Sequence, residues 1–305
     1  MRGEVRKAKM NFDYGPNSAY RPTMEGIAEI PLEDELGDVL EKAMRQAELS
    51  YDQLSAKTGI SISRIRDAVD YRPDLTSDEL NRIAGVLHLN EVGFCALGAG
   101  LYPLPEATGL PFSVWPLRMK HGIGVVNAYL VSAVGDHHGI LIDTGAGIEA
   151  LEPVWPKQIT TIDAVFVTHV EAEHAGALCD VVGRYAVKTA YAPAAVQTPC
   201  GKNITEGQVV TVGKFQVTAY STPGHCSEHA CYKVELAGAR PGRAMLATGD
   251  LIFAGSAGGA YFCHQQLQTQ TRRVLSLVPE DTLLAPGHGP LTTVGNELRF
   301  NPFLG

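Results

Sequence analysis

The stretch that decides the fold is residues 164–176, which read Ala-Val-Phe-Val-Thr-His-Val-Glu-Ala-Glu-His-Ala-Gly. Its first part is β-branched and aromatic, which predicts a short buried strand. Directly after that strand come four side chains of the kinds that bind metals, namely His169, Glu171, Glu173 and His174. Imidazole nitrogens and carboxylate oxygens are ligands of zinc, iron and manganese. Because α/β folds place their sites just past strand ends, the sequence predicts a metal site here.

Four further polar residues also follow apolar runs. Asp143 follows Gly-Ile-Leu-Ile, and Asp250 follows Ala-Met-Leu-Ala-Thr-Gly. His225 lies in Ser-Thr-Pro-Gly-His, and His288 lies in Ala-Pro-Gly-His-Gly. A single His in a glycine-rich loop is usually an ordinary polar residue, but several strand ends converge on one edge of a sheet. The flanking glycines let the backbone approach a site closely, so we expect these residues to join the 169–174 cluster.

The order of these motifs resembles the metallo-β-lactamase superfamily over about residues 112–305. Its first motif is similar to residues 141–145, and its H-x-H-x-D-H motif is similar to residues 169–174. Residues 222–225, 248–256 and 286–304 resemble the glyoxalase II-like hydroxyacylglutathione hydrolases. The resemblance implies an α+β fold, an αββα sandwich with a dinuclear metal site at one edge.

The resemblance also implies a role for each residue of the site. His169, Glu171 and His225 would hold one metal; Glu173, His174 and His288 would hold the other. Asp250 would bridge the two, and Asp143 would lie behind them and orient a ligand or a loop. Asp250 and Glu173 are the candidate catalytic residues. The implied cofactors are two divalent ions, zinc or iron, with manganese as a third choice. The implied reaction is attack of a metal-bound hydroxide on an ester, thioester, lactone or amide-type substrate.

Two residues depart from the family pattern, since Glu171 replaces a His and Glu173 replaces an Asp. The carboxylate at 171 resembles the H-x-E-x-D-H motif of flavodiiron proteins and related diiron oxygenases, whereas Glu173 matches neither group. More oxygen ligands and more negative charge favour iron or manganese. The alternative function is therefore a non-haem iron enzyme acting with dioxygen or a sulfur species. Such an enzyme would use either two irons or a single iron. The single iron would be bound by His169, His225 and Asp250, which match the ligand set of the persulfide dioxygenases. A further alternative is that Glu171 forms a hydrogen bond without ligating.

The N-terminal part predicts four helices within residues 33–92. Apolar residues recur at spacings of three and four in the first helix, and Ser50, Ser61 and either Thr76 or Ser77 are candidate N-caps of the others. The pattern resembles the phage-repressor type of helix-turn-helix domain. However, residues 37–90 carry seven Lys or Arg against nine Asp or Glu, and carboxylates repel phosphate. A DNA-binding regulator with a metal-containing sensor domain is thus a disfavoured alternative. The other interpretation is a helical bundle that pairs subunits or covers the catalytic domain.

The sequence predicts four segments: an N-terminal arm at 1–32, the helix-turn-helix-like domain at 33–92, a linker at 93–111 and the catalytic domain at 112–305. The net charge of −8 argues against a broad nucleic-acid surface. Six cysteines without a C-x-x-C pair are typical of a reducing compartment. We find no apolar run of membrane-spanning length and no signal peptide. We therefore expect a cytoplasmic protein with a small-molecule substrate and no membrane partner, and a homo-oligomer formed through the N-terminal helices.

Signals for the substrate are few. Tyr261 and His264 are candidates for lining the pocket, although a helix start with ordinary packing explains them equally well. The stretch 257–264 lacks the Gly-Arg-x-Asp of the glyoxalase II-like group, so glutathione thioesters are not favoured. His229, four residues after His225, is interpreted as a strand residue rather than a support for the site.

Overall fold

A computed structural model describes residues 30–72, 74–122, 124–194, 196–238 and 243–305. Residues Pro31–Gly305 form one compact unit. The arm predicted for residues 1–32 lies almost wholly outside the described residues. Within the described ranges, no helix is long and apolar enough to cross a membrane.

The N-terminal region contains the four predicted helices and a fifth. They are α1 Leu36–Gln46, α2 Tyr51–Thr58, α3 Ile62–Val69, α4 Ser77–Leu87 and α5 Glu91–Gly98. The side chains of Ser50, Ser61 and Thr76 each accept a hydrogen bond from the backbone N–H three residues later. The predicted N-caps of α2, α3 and α4 are therefore confirmed.

The fifth helix, Glu91–Gly98, covers the first residues of the linker predicted for 93–111. Asn90 caps α5 by accepting from the N–H of Gly93 at 3.0 Å. A Cβ on Gly93 would lie 1.5 Å from the carbonyl oxygen of Phe300. This glycine therefore serves a close approach between two segments and not a flexible turn. The segment without regular structure begins only after Gly98.

The first sheet of the sandwich has six strands in the order β1-β2-β3-β4-β5-β6. Strands β1, β2 and β3 are antiparallel, and β3 to β6 are parallel. The strands are β1 Phe112–His121, β2 Gly124–Ala133, β3 His138–Ile142, β4 Thr161–Phe166, β5 Ala190–Pro193 and β6 Gly201–Ile204.

The second sheet has the strand order β14-β13-β10-β9-β8-β7, and β11 and β12 form a separate two-stranded hairpin. Within the second sheet, β10 and β13 are parallel. The strands are β7 Val209–Val212, β8 Phe215–Ser221, β9 Ala230–Leu236, β10 Met245–Gly249, β11 Ile252–Phe253, β12 Ser256–Ala257, β13 Leu283–Pro286 and β14 Thr292–Thr293.

Further helices in the described residues pack beside the sheets. They are α6 Ile148–Leu151, α7 Ala172–Ala175, α8 Leu178–Arg184, α9 His264–Ser276 and α10 Val294–Phe300. Helix α6 is short, and the 3-10 turn Glu152–Val154, which contains Pro153, follows it directly.

Three apolar clusters define the layers. Phe166 and Tyr232 belong to the cluster between the two sheets. Val165 and Val181 belong to the cluster between the first sheet and α8. The third cluster joins Leu246 of β10 to α9 and to all five N-terminal helices. The αββα sandwich with a preceding helical region is therefore confirmed, and the helical region shares an apolar core with the sandwich.

Candidate metal centre

The carboxyl ends of strands from both sheets meet at one edge of the sandwich. Strand β4 is parallel to β3, and β13 is parallel to β10, so each pair ends on the same side. The backbone N–H of Asn127 donates to the carbonyl of Gly287 at 2.7 Å and joins the two sheets at this edge. The predicted polar residues follow these strand ends. This topology brings together side chains that are far apart in sequence.

One group of side chains consists of His169, Glu171 and His225, whose ligand atoms lie within 4.8 Å of one another. The Nε2 of His225 is 3.1 Å from Oε1 of Glu171. His169 is fully buried, whereas the Glu171 side chain is 42% exposed. This group therefore has a buried floor and one carboxylate that faces solvent.

A second group consists of Glu173, His174 and His288, also with ligand atoms within 4.8 Å of one another. The Nε2 of His288 is 3.9 Å from Oε1 of Glu173. His174 is fully buried, and the Glu173 side chain is 21% exposed. Its composition, two histidines and a glutamate, is the same as that of the first group.

Asp250 lies between the two groups. Its Oδ1 is 3.4 Å from Nε2 of His174. Its Oδ2 is 3.4 Å from Nε2 of His288 and 3.9 Å from Nε2 of His225. One carboxylate thus faces histidines of both groups.

The other ring nitrogens of three histidines are held by hydrogen bonds. The Nδ1 of His225 donates to the carbonyl of Gly259 at 2.8 Å, and that of His288 donates to the carbonyl of Val125 at 3.0 Å. The Nδ1 of His169 donates to Oγ1 of Thr168 at 3.0 Å. These partners direct Nε2 of each ring towards the centre, as partners of metal-bound histidines do.

The atoms that face the centre fit a metal site. In a neutral His225, Nδ1 carries the hydrogen, so Nε2 presents a lone pair to the Glu171 oxygen 3.1 Å away. Two facing lone pairs repel unless a proton or a metal cation lies between them. Moreover, Nε2 of His169, Nε2 of His174 and Oδ1 of Asp250 are buried and have no hydrogen-bond partner among the described residues. Leaving such atoms unpaired costs about 1–3 kcal/mol each, and nitrogen and oxygen donors at this spacing suit zinc, iron or manganese.

The electrostatics of the centre keep Asp250 and His169 in states that bind cations. Burial raises the pKa of Asp250, but the hydrogen bond and charge of His288 and the charge of His174 outweigh it and hold that pKa well below its usual range. Burial lowers the pKa of His169 far below that of a free imidazole. Asp250 is therefore ionised and His169 neutral at physiological pH.

Asp143 lies behind His174. Its Oδ1 accepts from the backbone N–H of Thr168 and its Oδ2 from the Thr168 hydroxyl, both at 2.8 Å. The same Oδ2 is 3.3 Å from Nδ1 of His174. Asp143 adopts a φ of +58°, a region that Asp enters more readily than most residues. Asp143 is thus placed to orient both His174 and the segment that carries His169.

The interpretation of His229 as a strand residue is wrong. His229 precedes β9, is 1% exposed, and accepts from the backbone N–H of Asp250 through Nε2 at 3.2 Å. Its Nδ1 donates to Oγ1 of Thr222 at 2.7 Å. Burial lowers its pKa to about 3, so it is neutral. In the sequence, the spacing of four residues between His225 and His229 was the signal that pointed to a supporting role. The structure adds that His229 is buried behind Asp250.

Two other residues lie beside the ligand groups but belong to no recognisable sequence motif. Glu33, which precedes α1, has Oε2 3.8 Å from Nδ1 of His288. His121, at the end of β1, has Nε2 3.6 Å from Oε2 of Glu173. Both residues reach the centre through contacts between segments that are distant in the sequence. Periodicity and residue spacing do not reveal such contacts.

The two candidate substrate residues lie beside α9. The Tyr261 ring is centred 5.3 Å from the His225 ring, and Tyr261 is 77% exposed. His264 is the first residue of α9. Tyr261 therefore borders the centre on its solvent side, while His264 starts a helix.

Comparisons with known proteins agree with this geometry. A family model described as the metallo-beta-lactamase superfamily matches residues 121–199. An uncharacterized protein of Aquifex aeolicus is 32% identical over 205 residues, which are 59% of this chain and 92% of that protein. A probable hydroxyacylglutathione hydrolase of Schizosaccharomyces pombe is 28% identical over 59% of this chain and 70% of its own length. The hydroxyacylglutathione hydrolase of Salmonella typhi is 24% identical over 49% of this chain, which spans 56% of that enzyme.

Solved structures show the same fold. The BLEG-1 B3 metallo-beta-lactamase superposes with a TM-score of 0.52 at 27% identity, over 61% of this chain and 98% of that one. ETHE1 from Myxococcus xanthus superposes with a TM-score of 0.51 at 24% identity, over 63% and 83%. The chain belongs to the metallo-beta-lactamase superfamily, with glyoxalase II-like relatives and an additional N-terminal helical region. The superfamily predicted from the motifs is confirmed, and the helix-turn-helix identity of the helical region stays a prediction.

Proposed function

We propose that this protein is a metal-dependent hydrolase that cleaves an ester, thioester, lactone or amide-type bond. The observation that carries the proposal is the position of Asp250 between two groups, each of two histidines and a glutamate, whose donor atoms face each other. The distant similarity to hydroxyacylglutathione hydrolases supports the same class of reaction.

The residues present suit two divalent ions. His169, Glu171 and His225 would hold one, and Glu173, His174 and His288 the other, with Asp250 between them. Zinc and iron match this nitrogen and oxygen donor set, and manganese matches it through the three carboxylates. Such ions, when bound, polarise a carbonyl and make water a stronger acid.

The side chains of the centre are of two kinds, some buried and others partly exposed to solvent. Asp250 is buried and ionised, and its backbone N–H donates to Nε2 of His229, which helps to position it between the two groups. Glu173 is partly exposed and lies 3.6 Å from Nε2 of His121. His121 therefore lies beside this carboxylate on the exposed side of the centre.

The test is metal content and turnover on one preparation. Protein is expressed with iron, zinc and manganese available, its metals are measured by plasma mass spectrometry, and a thioester, lactone, ester and lactam panel is assayed. We expect about two metals per chain, hydrolysis that a chelator abolishes, and recovery on adding metal back. His169→Ala is expected to lose metal and activity, and His138→Ala, an exposed histidine paired with Asp163, to retain both. Metal-loaded protein inactive on the whole panel, or folded metal-free protein with full activity, contradicts the proposal.

A second candidate, a non-haem iron enzyme, rests on one observation. His169, His225 and Glu171 form a set of two histidines and one carboxylate, the ligand type of non-haem iron oxygenases. His169, His225 and Asp250 offer the same composition for a single iron. One or two irons per chain, visible absorption in air and oxygen consumption with a thiol or persulfide substrate favour this candidate over the hydrolase.

The contacts of the helical region count against the third candidate, a DNA-binding regulator. Arg64 in α3 pairs with Glu79 and Asp74, each at 2.9 Å. Arg72 pairs with Asp67 at 2.7 Å. Arginines held by carboxylates are poor phosphate ligands, and phosphate contacts dominate DNA affinity. We therefore propose a small-molecule substrate, while self-association through these helices stays a prediction.

A further inference from the structure

An ion pair between a buried aspartate and a partly buried lysine in the N-terminal region contacts the loop that follows Asp250. Asp34 lies just before α1, is 7% exposed, pairs with Lys42 of α1 and accepts from the hydroxyl of Ser256. Lys42 also donates through Nζ to the carbonyl of Ala257 at 2.9 Å. Both residues lie outside the sandwich, yet both hold the hairpin formed by β11 and β12.

This hairpin connects two parts of the metal centre. It begins two residues after Asp250 and ends two residues before Gly259, whose carbonyl accepts from Nδ1 of His225. The returning chain packs tightly, since a Cβ on Gly258 would lie 1.8 Å from the carbonyl oxygen of Asp250. The position of the hairpin therefore sets both the Asp250 backbone and the acceptor that orients His225.

The hairpin is held on another side by Asn301, whose Nδ2 donates to the carbonyls of Ser256 at 2.9 Å and Phe253 at 3.2 Å. The Lys42 ammonium lies 5.7 Å from the centre of the Phe253 ring, and that ring lies 5.6 Å from the His288 ring. The Phe253 ring thus contacts both Lys42 and His288, a member of the second ligand group.

We propose that Asp34 and Lys42 are positioning residues of the metal centre, so that the N-terminal region is a working part of the site. This inference rests on the metal centre proposed above. Their effect passes through the hairpin to Asp250 and to the Gly259 carbonyl, which fixes the ring of His225. Loss of such supporting contacts typically weakens metal binding by about 10–100-fold.

The test compares full-length variants in metal titrations. Metal-free wild type, Lys42→Met, Asp34→Asn and Lys42→Arg are titrated with Zn²⁺ against a chromophoric chelator, and the absorption spectrum of each cobalt-loaded protein is recorded. Arg45→Met is the matched control, since Arg45 lies on the same helix, is 71% exposed and pairs only with Glu41 among the contacts described. We expect Lys42→Met and Asp34→Asn to weaken at least one metal site by about 10–100-fold and to alter the cobalt spectrum. Lys42→Arg recovers most of the affinity, and Arg45→Met leaves it unchanged.

The outcomes separate the two proposals. If wild type binds no metal, the metal centre itself fails. If wild type binds metal and the Lys42 and Asp34 variants bind it equally well, with only a lower melting temperature, the pair is merely structural and the inference is overturned. If Lys42→Met does not fold, the double variant with both Asp34→Asn and Lys42→Met is titrated in its place. That variant leaves no unpaired buried charge. Wild-type affinity in that variant overturns the inference equally.

Discussion

Oδ2 of Asp143 lies 3.3 Å from Nδ1 of His174, and Nε2 of the same ring lies 3.4 Å from Oδ1 of Asp250. The imidazole thus lies between two buried carboxylates. Because Asp143 is 3% exposed and also accepts twice from Thr168, its position is fixed before any ligand binds. The ring of His174 is consequently oriented by residues that follow β3 and β4.

Asp143→Asn tests this orientation. Asn tolerates the positive φ at this position, but its amide group cannot accept from Thr168 and His174 as a carboxylate does. We expect metal affinity to fall by about 10–100-fold, as measured by chelator competition. Asp163→Asn is the control, because Asp163 pairs with His138 at the surface. Unchanged affinity in Asp143→Asn, or an equal loss in both variants, contradicts the assigned role.

Short-range patterns predicted the parts of this molecule that depend on neighbouring residues. Ser50 caps α2 because its side chain and the N–H of Gln53 are three residues apart. The proposed metal ligands also follow the ends of strands, and each of these strands is predicted by a run of apolar residues in the sequence. By contrast, the hydroxyl of Ser256 donates to Asp34, which is 222 positions away in the sequence. Glu33 likewise lies near His288, which is at the other end of the described sequence. Such contacts depend on how the helical region packs on the sandwich, which no local periodicity encodes.

Glu171→His tests which metal the centre prefers. The change removes one negative charge and one oxygen donor, and soft or borderline metals gain from the added imidazole. We expect the zinc-to-iron ratio of protein expressed with both metals to rise, and turnover of a hydrolysable substrate to rise with it. Glu149→His, at an exposed position of α6, controls for an added surface histidine. An unchanged ratio indicates that Glu171 forms a hydrogen bond without ligating.

Glu79 makes the stability of the helical region depend on pH. The hydrogen bond from Arg64, together with the backbone and hydroxyl of Thr76, lowers the pKa of Glu79 from 4.5 to about 2. The folded state therefore holds this proton more weakly than the unfolded state. The resulting stability is present above about pH 4.5 and is lost as the pH falls towards 2.

Glu79→Gln is expected to lower the free energy of unfolding at pH 6 and to reduce its decline between pH 4.5 and about 2. Urea denaturation of metal-free protein at several pH values measures both effects. Asp52→Asn, an acidic residue in the first turn of α2, is the control. Parallel pH profiles for wild type and Glu79→Gln would falsify the assignment.

Phe94→Ala tests whether the helical region and the sandwich share one core. Phe94 of α5 is fully buried and belongs to the same apolar cluster as Leu246 of β10 and Leu267 of α9. Removing a buried phenylalanine ring costs about 3–5 kcal/mol. We expect this loss in urea denaturation, whereas Val92→Ala, at a position 63% exposed on the same helix, changes stability by less than about 0.5 kcal/mol.

The two tryptophans make this experiment specific, because Trp115 lies in β1 and Trp155 follows the 3-10 turn after α6. Tryptophan fluorescence therefore reports on the sandwich, whereas circular dichroism at 222 nm reports on all the helices, of which α1 to α5 contain the larger share of helical residues. A shared core predicts that Phe94→Ala shifts both transitions together, since loss of the ring weakens packing that both parts use. If the helical signal shifts while the fluorescence transition stays at its wild-type midpoint, the helices fold independently and only rest on the sandwich.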